Sequence, residues 1–266
     1  MTRAPLIPDE EVFTDGNMAQ VVRRGTSVFR APAPWAEASR QVLRHLEGAD
    51  FPWSPRLLGT SDVEDELSFV PGRSIPADLA GHEEESMLVQ VGTAIRALHD
   101  ALAGFGLAPG TAFVVIDHAP RAATILCHND LAPSSITVFH GALAGFIDWD
   151  LVAPGAPAWD LAYAAWRFAP IYPAGRTGFT PAGQAARVVV LLDAYGLPAG
   201  DRAGLVDLVL LRQRSAVTTV ERLGRERVPG FVRLYDGGLH LSGIDDREWL
   251  ESHRGEFVRI IERARR

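Results

Sequence analysis

The sequence predicts an α+β chain of two lobes: a small antiparallel sheet with one helix over residues 1–72, then a larger, mainly helical part over residues 73–266. Three observations predict it. Short apolar runs broken by turn signals fill residues 11–72. Helical periodicity dominates after Gly72. One strand-like hairpin, residues 125–149, interrupts the helical part. A chain of 266 residues, 47% of them hydrophobic, can build a core in each lobe.

The elements follow in order. Residues 11–30 alternate in a strand-like way around Asp15-Gly16-Asn17 and Gly25-Thr26, which makes a meander of antiparallel strands. The prolines at 32 and 34 stop the last of them. Apolar residues at 35, 38, 42, 43 and 46 then have helical spacing, and Gly48 ends that helix. Two more strands lie at 55–60 and 66–72. Glu83, Glu84 and Glu85 stand in a first helical turn, where the helix dipole favours acids. Met87, Leu88, Val91, Ile95, Leu98 and Leu102 form its apolar stripe. After the hairpin, helices are expected at 157–169, 181–196, 202–224 and 246–264. Asp201 is placed to cap the third, and Asp245 with Glu248 to form a capping box for the last. The Pro- and Gly-rich stretches at 170–183 and 228–243 read as loops.

Composition excludes several functions. A net charge of −7 argues against a general nucleic-acid role. No apolar run reaches the roughly 18 residues that span a membrane, and the N-terminal segment lacks the apolar core of a signal sequence. A single cysteine, Cys127, rules out an internal disulfide framework, so a cytoplasmic location is expected. All 26 basic residues are arginine. No lysine is present to form a Schiff base, and any cationic phosphate ligand must be a guanidinium.

Chemistry concentrates between Ile125 and Ala162. His128 and Asp130 stand two residues apart, Asp148 ends the apolar run Ala142–Ile147, and Asp160 opens a helix. Cys127 and His128 are neighbours on a strand and point to opposite faces, so they form no nucleophilic pair. Taken singly, Asp130 reads as a turn cap before Ala-Pro, Asp160 as a helix N-terminal acid, and Arg30 as a strand-end arginine with Arg23 and Arg24 as competitors. Together, the three acids in this order resemble the catalytic hairpin of the aminoglycoside phosphotransferase family, within the protein-kinase-like superfamily. The resemblance covers nearly the whole chain.

That resemblance implies a bilobal protein-kinase-like fold and transfer of the γ-phosphate of ATP or GTP to a small-molecule hydroxyl with Mg²⁺. Asp130 matches the carboxylate that orients the hydroxyl and accepts its proton, and His128 the residue that supports its loop. Asp148 matches the Mg²⁺ ligand, with Asp150 either a second ligand or a hydrogen-bonding partner of the loop. Asp160 matches the acid that braces the catalytic loop. Arg30 takes the place of the phosphate-binding lysine of the third strand. Gly16 and Asn17 fall in the turn above the phosphates, though an ordinary β-turn explains them equally well. Phe69 and Val70 fall where the backbone meets the purine.

The chain departs from the family pattern in three places. Ser135 stands where the family has an Asn that binds a second Mg²⁺; a hydroxyl is a shorter metal ligand than an amide oxygen. Arg30 replaces lysine. Ser39 occupies the position of the helix Glu that pairs with that lysine, and Glu37 lies about 200° away around the helix. Two functions remain open: a phosphotransferase acting on an antibiotic or other small metabolite, or a catalytically impaired kinase-like binding or scaffold protein with a protein partner. Family acceptors include aminoglycosides, choline-like compounds and sugars. Residues 193–266 hold 12 acids and 13 arginines, a near-neutral balance that argues against a polycation pocket.

Overall fold

The structure, a computed structural model, describes residues 11–13, 21–75 and 84–263. Gly16 and Asn17 lie outside the described residues. The N-terminal lobe is a five-stranded sheet of β1 (Glu11–Phe13), β2 (Val21–Arg24), β3 (Ser27–Arg30), β4 (Leu57–Thr60) and β5 (Asp65–Ser68), ordered β1-β2-β3-β5-β4 with every pair antiparallel. Helix α1 (Ala36–Gly48) connects β3 to β4. Its predicted stripe is buried, with Ala38, Val42, Leu43 and Leu46 facing inward. Ser39 is buried with them.

The chain leaves the sheet through a tight clamp. Gly72 has φ +103°, and a Cβ there would stand 2.4 Å from the Val138 carbonyl oxygen, so only glycine fits. The next residue, Arg73, exchanges backbone hydrogen bonds with Val138 (3.1 and 2.9 Å). The connection between the lobes is thus tied to the hairpin that carries the acids.

The C-terminal lobe begins with α2 (Glu85–Ala101). It continues through β6 (Ile125–Cys127), β7 (Ile136–Phe139), β8 (Ala142–Phe146) and β9 (Ala153–Gly155), then α3 (Pro157–Phe168), α4 (Ala174–Thr177), α5 (Pro181–Tyr195), α6 (Leu205–Arg225), α7 (Phe231–Asp236) and α8 (Ser242–Arg263). Strands β7 and β8 form a hairpin, and β6 pairs with β9. The hairpin turn uses His140 and Gly141, both at positive φ (50° and 79°), as a two-residue turn between twisted strands requires. Between α2 and β6 the chain has no regular element, yet it is pinned to α6. Arg222 Nε donates to Asp117 Oδ1 (2.8 Å), and the Asp117 N–H donates to Thr219 Oγ1 (2.9 Å).

Two helix starts differ from expectation. Helix α6 begins at Leu205, after a 3₁₀ turn over Ala199–Asp201, with Gly204 in the left-handed region as its N-cap. Asp201 therefore caps nothing there. Buried Arg202, which donates to the Leu197 carbonyl and pairs with Asp193, holds this turn away from the helix. Helix α8 begins at Ser242, three residues before Asp245, so no capping box forms. The stretches read as loops contain the short helices α4 and α7.

A continuous apolar core runs from α1 through α2, α3 and α5 to α8. Among the described residues no helix is long and apolar enough to cross a membrane. Helices α2 and α5 pack tightly in the core. A Cβ on Gly92 would stand 2.6 Å from the Leu191 carbonyl oxygen and 2.8 Å from Ala194 Cβ. Gly92→Ala is expected to cost about 1–3 kcal/mol by overpacking, read as a lowered urea midpoint. An unchanged midpoint would show that the two helices can move apart freely.

Candidate active site

The site is built on β6 and the residues after it. All three residues of β6 are buried, and the chain then turns sharply, with Asn129 at φ +65°. Asn tolerates this conformation better than most residues, and its polar groups are fully used here. Its Nδ2 donates to the Leu151 carbonyl (2.9 Å), its Oδ1 accepts from Trp159 Nε1 (3.0 Å), and its backbone carbonyl accepts from Arg212 (2.5 Å). Asp160, at the start of α3, accepts the backbone N–H groups of His128 and Asn129, each at 2.8 Å. The turn is therefore fixed from below by one buried carboxylate.

His128 ties the two acidic loops together. Its Nδ1 lies 3.3 Å from the Asp130 amide nitrogen and accepts that N–H, while Nε2 lies 3.1 Å from the Ile147 carbonyl oxygen. Both contacts are made by a neutral ring protonated on Nε2. Burial favours the same state by pushing the ring below the ordinary histidine pKa, against Asp160 and Asp130.

Asp130 is gripped at both oxygens. Tyr163 OH donates to Oδ1 (2.9 Å) and Ser135 Oγ to Oδ2 (3.1 Å). Burial raises its carboxyl above the ordinary range, opposed by His128, Tyr163, Arg167 and Ser135. Ser135 is itself buried, and its carbonyl accepts the Ile147 N–H (2.8 Å). With its proton directed at Asp130, its oxygen lone pairs remain for another partner.

Asp148 follows β8 at φ +65° and begins a 3₁₀ turn, Trp149–Leu151. Three contacts attach this turn to the N-terminal lobe. Arg30 forms a buried ion pair with Asp150 (2.8 Å), Ser39 Oγ donates to the Trp149 carbonyl (2.7 Å), and Trp35 Nε1 to the Asp150 carbonyl (2.6 Å). Arg30 thus takes its carboxylate from the acidic loop rather than from α1. Ser39, at the place of the expected glutamate, binds that same loop directly. Among the described residues the buried Arg30 Nε has no hydrogen-bond partner.

Negative charge is in excess here. Burial first, then Asp150 and Asp130, push the Asp148 carboxyl up to about 8, with Arg30 opposing. Such a site favours a cation, and carboxylate oxygens are the hard donors Mg²⁺ prefers. Among the described residues no group of three or more His, Cys, Asp or Glu is arranged to cage a metal alone. The donor set fits an ion held by one or two carboxylates and completed by phosphate oxygens. Phe69 and Val70 lie just past β5. The Phe69 N–H donates to the Thr26 carbonyl (2.8 Å), and its ring lies under the Arg23 guanidinium (3.7 Å). Among the described residues the Phe69 carbonyl and the Val70 peptide make no backbone hydrogen bond outside the sheet.

A profile of the phosphotransferase enzyme family matches residues 114–205, the segment that carries Asp130, Asp148, Asp150 and Asp160. The trifolitoxin immunity protein of Rhizobium leguminosarum bv. trifolii is 33% identical over 213 residues, covering 76% of this chain and 80% of that one. The chain belongs to the aminoglycoside phosphotransferase family. Solved structures agree on the family's kinase-like fold. A choline/ethanolamine kinase family protein from Mesorhizobium loti superposes with TM-score 0.61 at 14% identity, covering 97% of this chain and 94% of that one. Wild-type aminoglycoside 2′-phosphotransferase-IIIa in complex with GDP gives 0.59 at 14% identity (92% and 94%). The ethanolamine kinase of Plasmodium vivax gives 0.58 at 11% (91% and 84%).

In this family member, sequence reasoning missed Tyr163, Arg167 and Arg212, and it left the role of Asp150 open. Two of them carried a signal. Tyr163 and Arg167 lie three and seven residues after Asp160 on α3, the spacing of one helix face. Arg212 carried none. Its burial, its bond to the Asn129 carbonyl and its stacking on Tyr163 (4.3 Å) depend on where α6 packs.

Proposed function

We propose that the protein transfers the γ-phosphoryl group of ATP or GTP to a hydroxyl of a small molecule, an antibiotic or other metabolite. The observation that carries this reading is Asp130, held at both oxygens and set close enough to Asp148 to raise its carboxyl. The acceptor oxygen attacks the γ-phosphorus while its proton passes to the Asp130 carboxylate. The bond to the bridging oxygen breaks, and the nucleoside diphosphate leaves with the electron pair. Asp148 would hold Mg²⁺, with Asp150 beside it and the Ser135 oxygen on the neighbouring Asp130 loop. When bound, the ion neutralises charge on the nucleotide phosphates. Arg30, oriented by Asp150, would set its positive charge beside the phosphates.

A second reading is a kinase-like binding protein without turnover. Two observations favour it: the Ser135 hydroxyl is directed at Asp130, and a relative is named as an immunity protein. Calorimetric titration of ATP and GTP with and without Mg²⁺, followed by a screen for acceptor-dependent diphosphate release, separates the two. Mg²⁺-dependent binding with release supports the enzyme. Binding with no release on any hydroxyl compound supports the second reading.

Ser135→Asn bears on the metal directly. A longer amide oxygen is expected to tighten Mg²⁺-dependent nucleotide binding by several-fold, on the order of 1 kcal/mol. Unchanged affinity in the same titration would mean that this position does not meet the ion.

A further inference from the structure

We infer that the acceptor carries an oxyanion, a carboxylate or a phosphate ester, and that Arg167 receives it; this rests on the phosphotransferase reading above. Arg167 lies one turn beyond Tyr163 on α3, on the helix face whose tyrosine grips Asp130. Its guanidinium lies against the rings of Trp166 (5.4 Å) and Tyr172 (5.5 Å). Its Nε is shut away from solvent with no hydrogen-bond partner. Among the described residues it makes no ion pair, although Asp130 and Asp246 are near enough to act on it electrostatically. Burial opposes this charge, but Tyr172, Tyr163, Asp130 and Asp246 outweigh it and keep the guanidinium above the ordinary arginine value; an incoming oxyanion would add the direct partner it lacks.

The neighbouring charges point the same way. Asp246, which approaches from α8, is already engaged by Arg176 (2.5 Å) and Trp166 Nε1 (3.0 Å). Arg212 adds a buried guanidinium beside Tyr163. The α3 and α6 side of Asp130 is therefore positive, whereas the side formed by Asp148 and Asp150 is negative. Each side suits a different substrate: a cation-bound nucleotide on the negative side, an anionic acceptor on the positive one. Among the described residues, an amine acceptor would meet Arg167 with only Asp130, already held by Tyr163 and Ser135, to offset it. A guanidinium fork binds carboxylate or phosphate through two parallel hydrogen bonds.

Four probes test this on the full chain with Mg²⁺ and ADP present: glycerate, glycerol 3-phosphate, glycerol and choline, each titrated calorimetrically. At least one of the two anions is expected to bind about tenfold or more tighter than glycerol or choline, with Arg167→Gln removing that advantage and Arg167→Lys restoring part of it. Whichever anion wins distinguishes a carboxylate from a phosphate ester. Preference for choline, equal or undetectable binding of all four, or anion binding untouched by Arg167→Gln would overturn the proposal. The wild-type preference needs no variant, so a misfolded Arg167→Gln leaves the test intact. Mg²⁺-dependent nucleotide binding is measured in parallel. Its absence counts against the phosphotransferase reading, whereas its presence with no anion preference counts against Arg167 alone.

Discussion

Asp130→Asn is expected to lower acceptor-dependent diphosphate release by about 10²–10⁴-fold, the usual contribution of a positioned general base. The amide keeps the shape of the carboxylate and can still accept the Tyr163 hydroxyl at one oxygen. It cannot take a proton from the acceptor. Mg²⁺-dependent nucleotide binding should survive, because Asp148, Asp150 and Arg30 are unchanged. Stability should hold or rise, since a buried group whose carboxyl is pushed upward is replaced by a neutral one. The pH profile adds an independent readout. The wild-type rate needs the ionised carboxylate, and burial raises its pKa, so the acid limb should lie above the ordinary aspartate range. Asp130→Asn should abolish that limb along with the rate. Wild-type turnover in this variant would sink the general-base assignment. An equal loss of nucleotide affinity would make Asp130 part of the binding site instead.

What the sequence made legible was local. Asp148 was readable because an apolar strand ends just before it, and Asp160 because a helix opens there. Asp160 takes the amides of the His128–Asn129 turn, about thirty residues back, so that part of its bracing role needs little knowledge of the rest of the chain. The sheet and the helices were legible for the same reason: period and turn chemistry act over a few residues. The links between lobes were not. Arg30 finds Asp150 and Ser39 finds the Trp149 carbonyl across more than a hundred residues, so no local pattern pairs them. The same packing explains the apparent loss of the lysine–glutamate pair. Arg30 meets its carboxylate on the acidic loop, and Ser39 on α1 binds that same loop. The helix starts failed where tertiary contacts overrode a capping signal. Gly204 and buried Arg202 set the start of α6, and Asp246 is drawn into the core by Trp166 and Arg176.

Asp160→Ala tests the foundation of the site and should act through folding. The carboxylate is fully buried, and its two oxygens each accept a loop amide at 2.8 Å. His99 Nε2 stands 3.5 Å from Oδ2, and His99 Nδ1 lies 2.9 Å from Tyr195 OH, so α2 and α5 join the same network. Alanine leaves two buried N–H groups unpaired at about 1–3 kcal/mol each, for a total expected loss of about 3–5 kcal/mol in urea unfolding. Asp160→Asn keeps one acceptor oxygen and should lose less. The pH dependence has a definite sign. Burial alone would raise this carboxyl, but His99, His128 and the Asn129 amide overcome it and hold the folded pKa below the ordinary value. The folded state therefore binds this proton less readily than the unfolded chain. The stabilisation is fully present above the unfolded aspartate pKa of about 4 and is lost as pH falls through the lower folded value. Wild-type stability should drop across that acid window, and Asp160→Ala should flatten its share of the drop. If the alanine variant unfolds within about 1 kcal/mol of wild type, the turn at Asn129 is held by Trp159 and Arg212 instead, and Asp160 does not brace the loop.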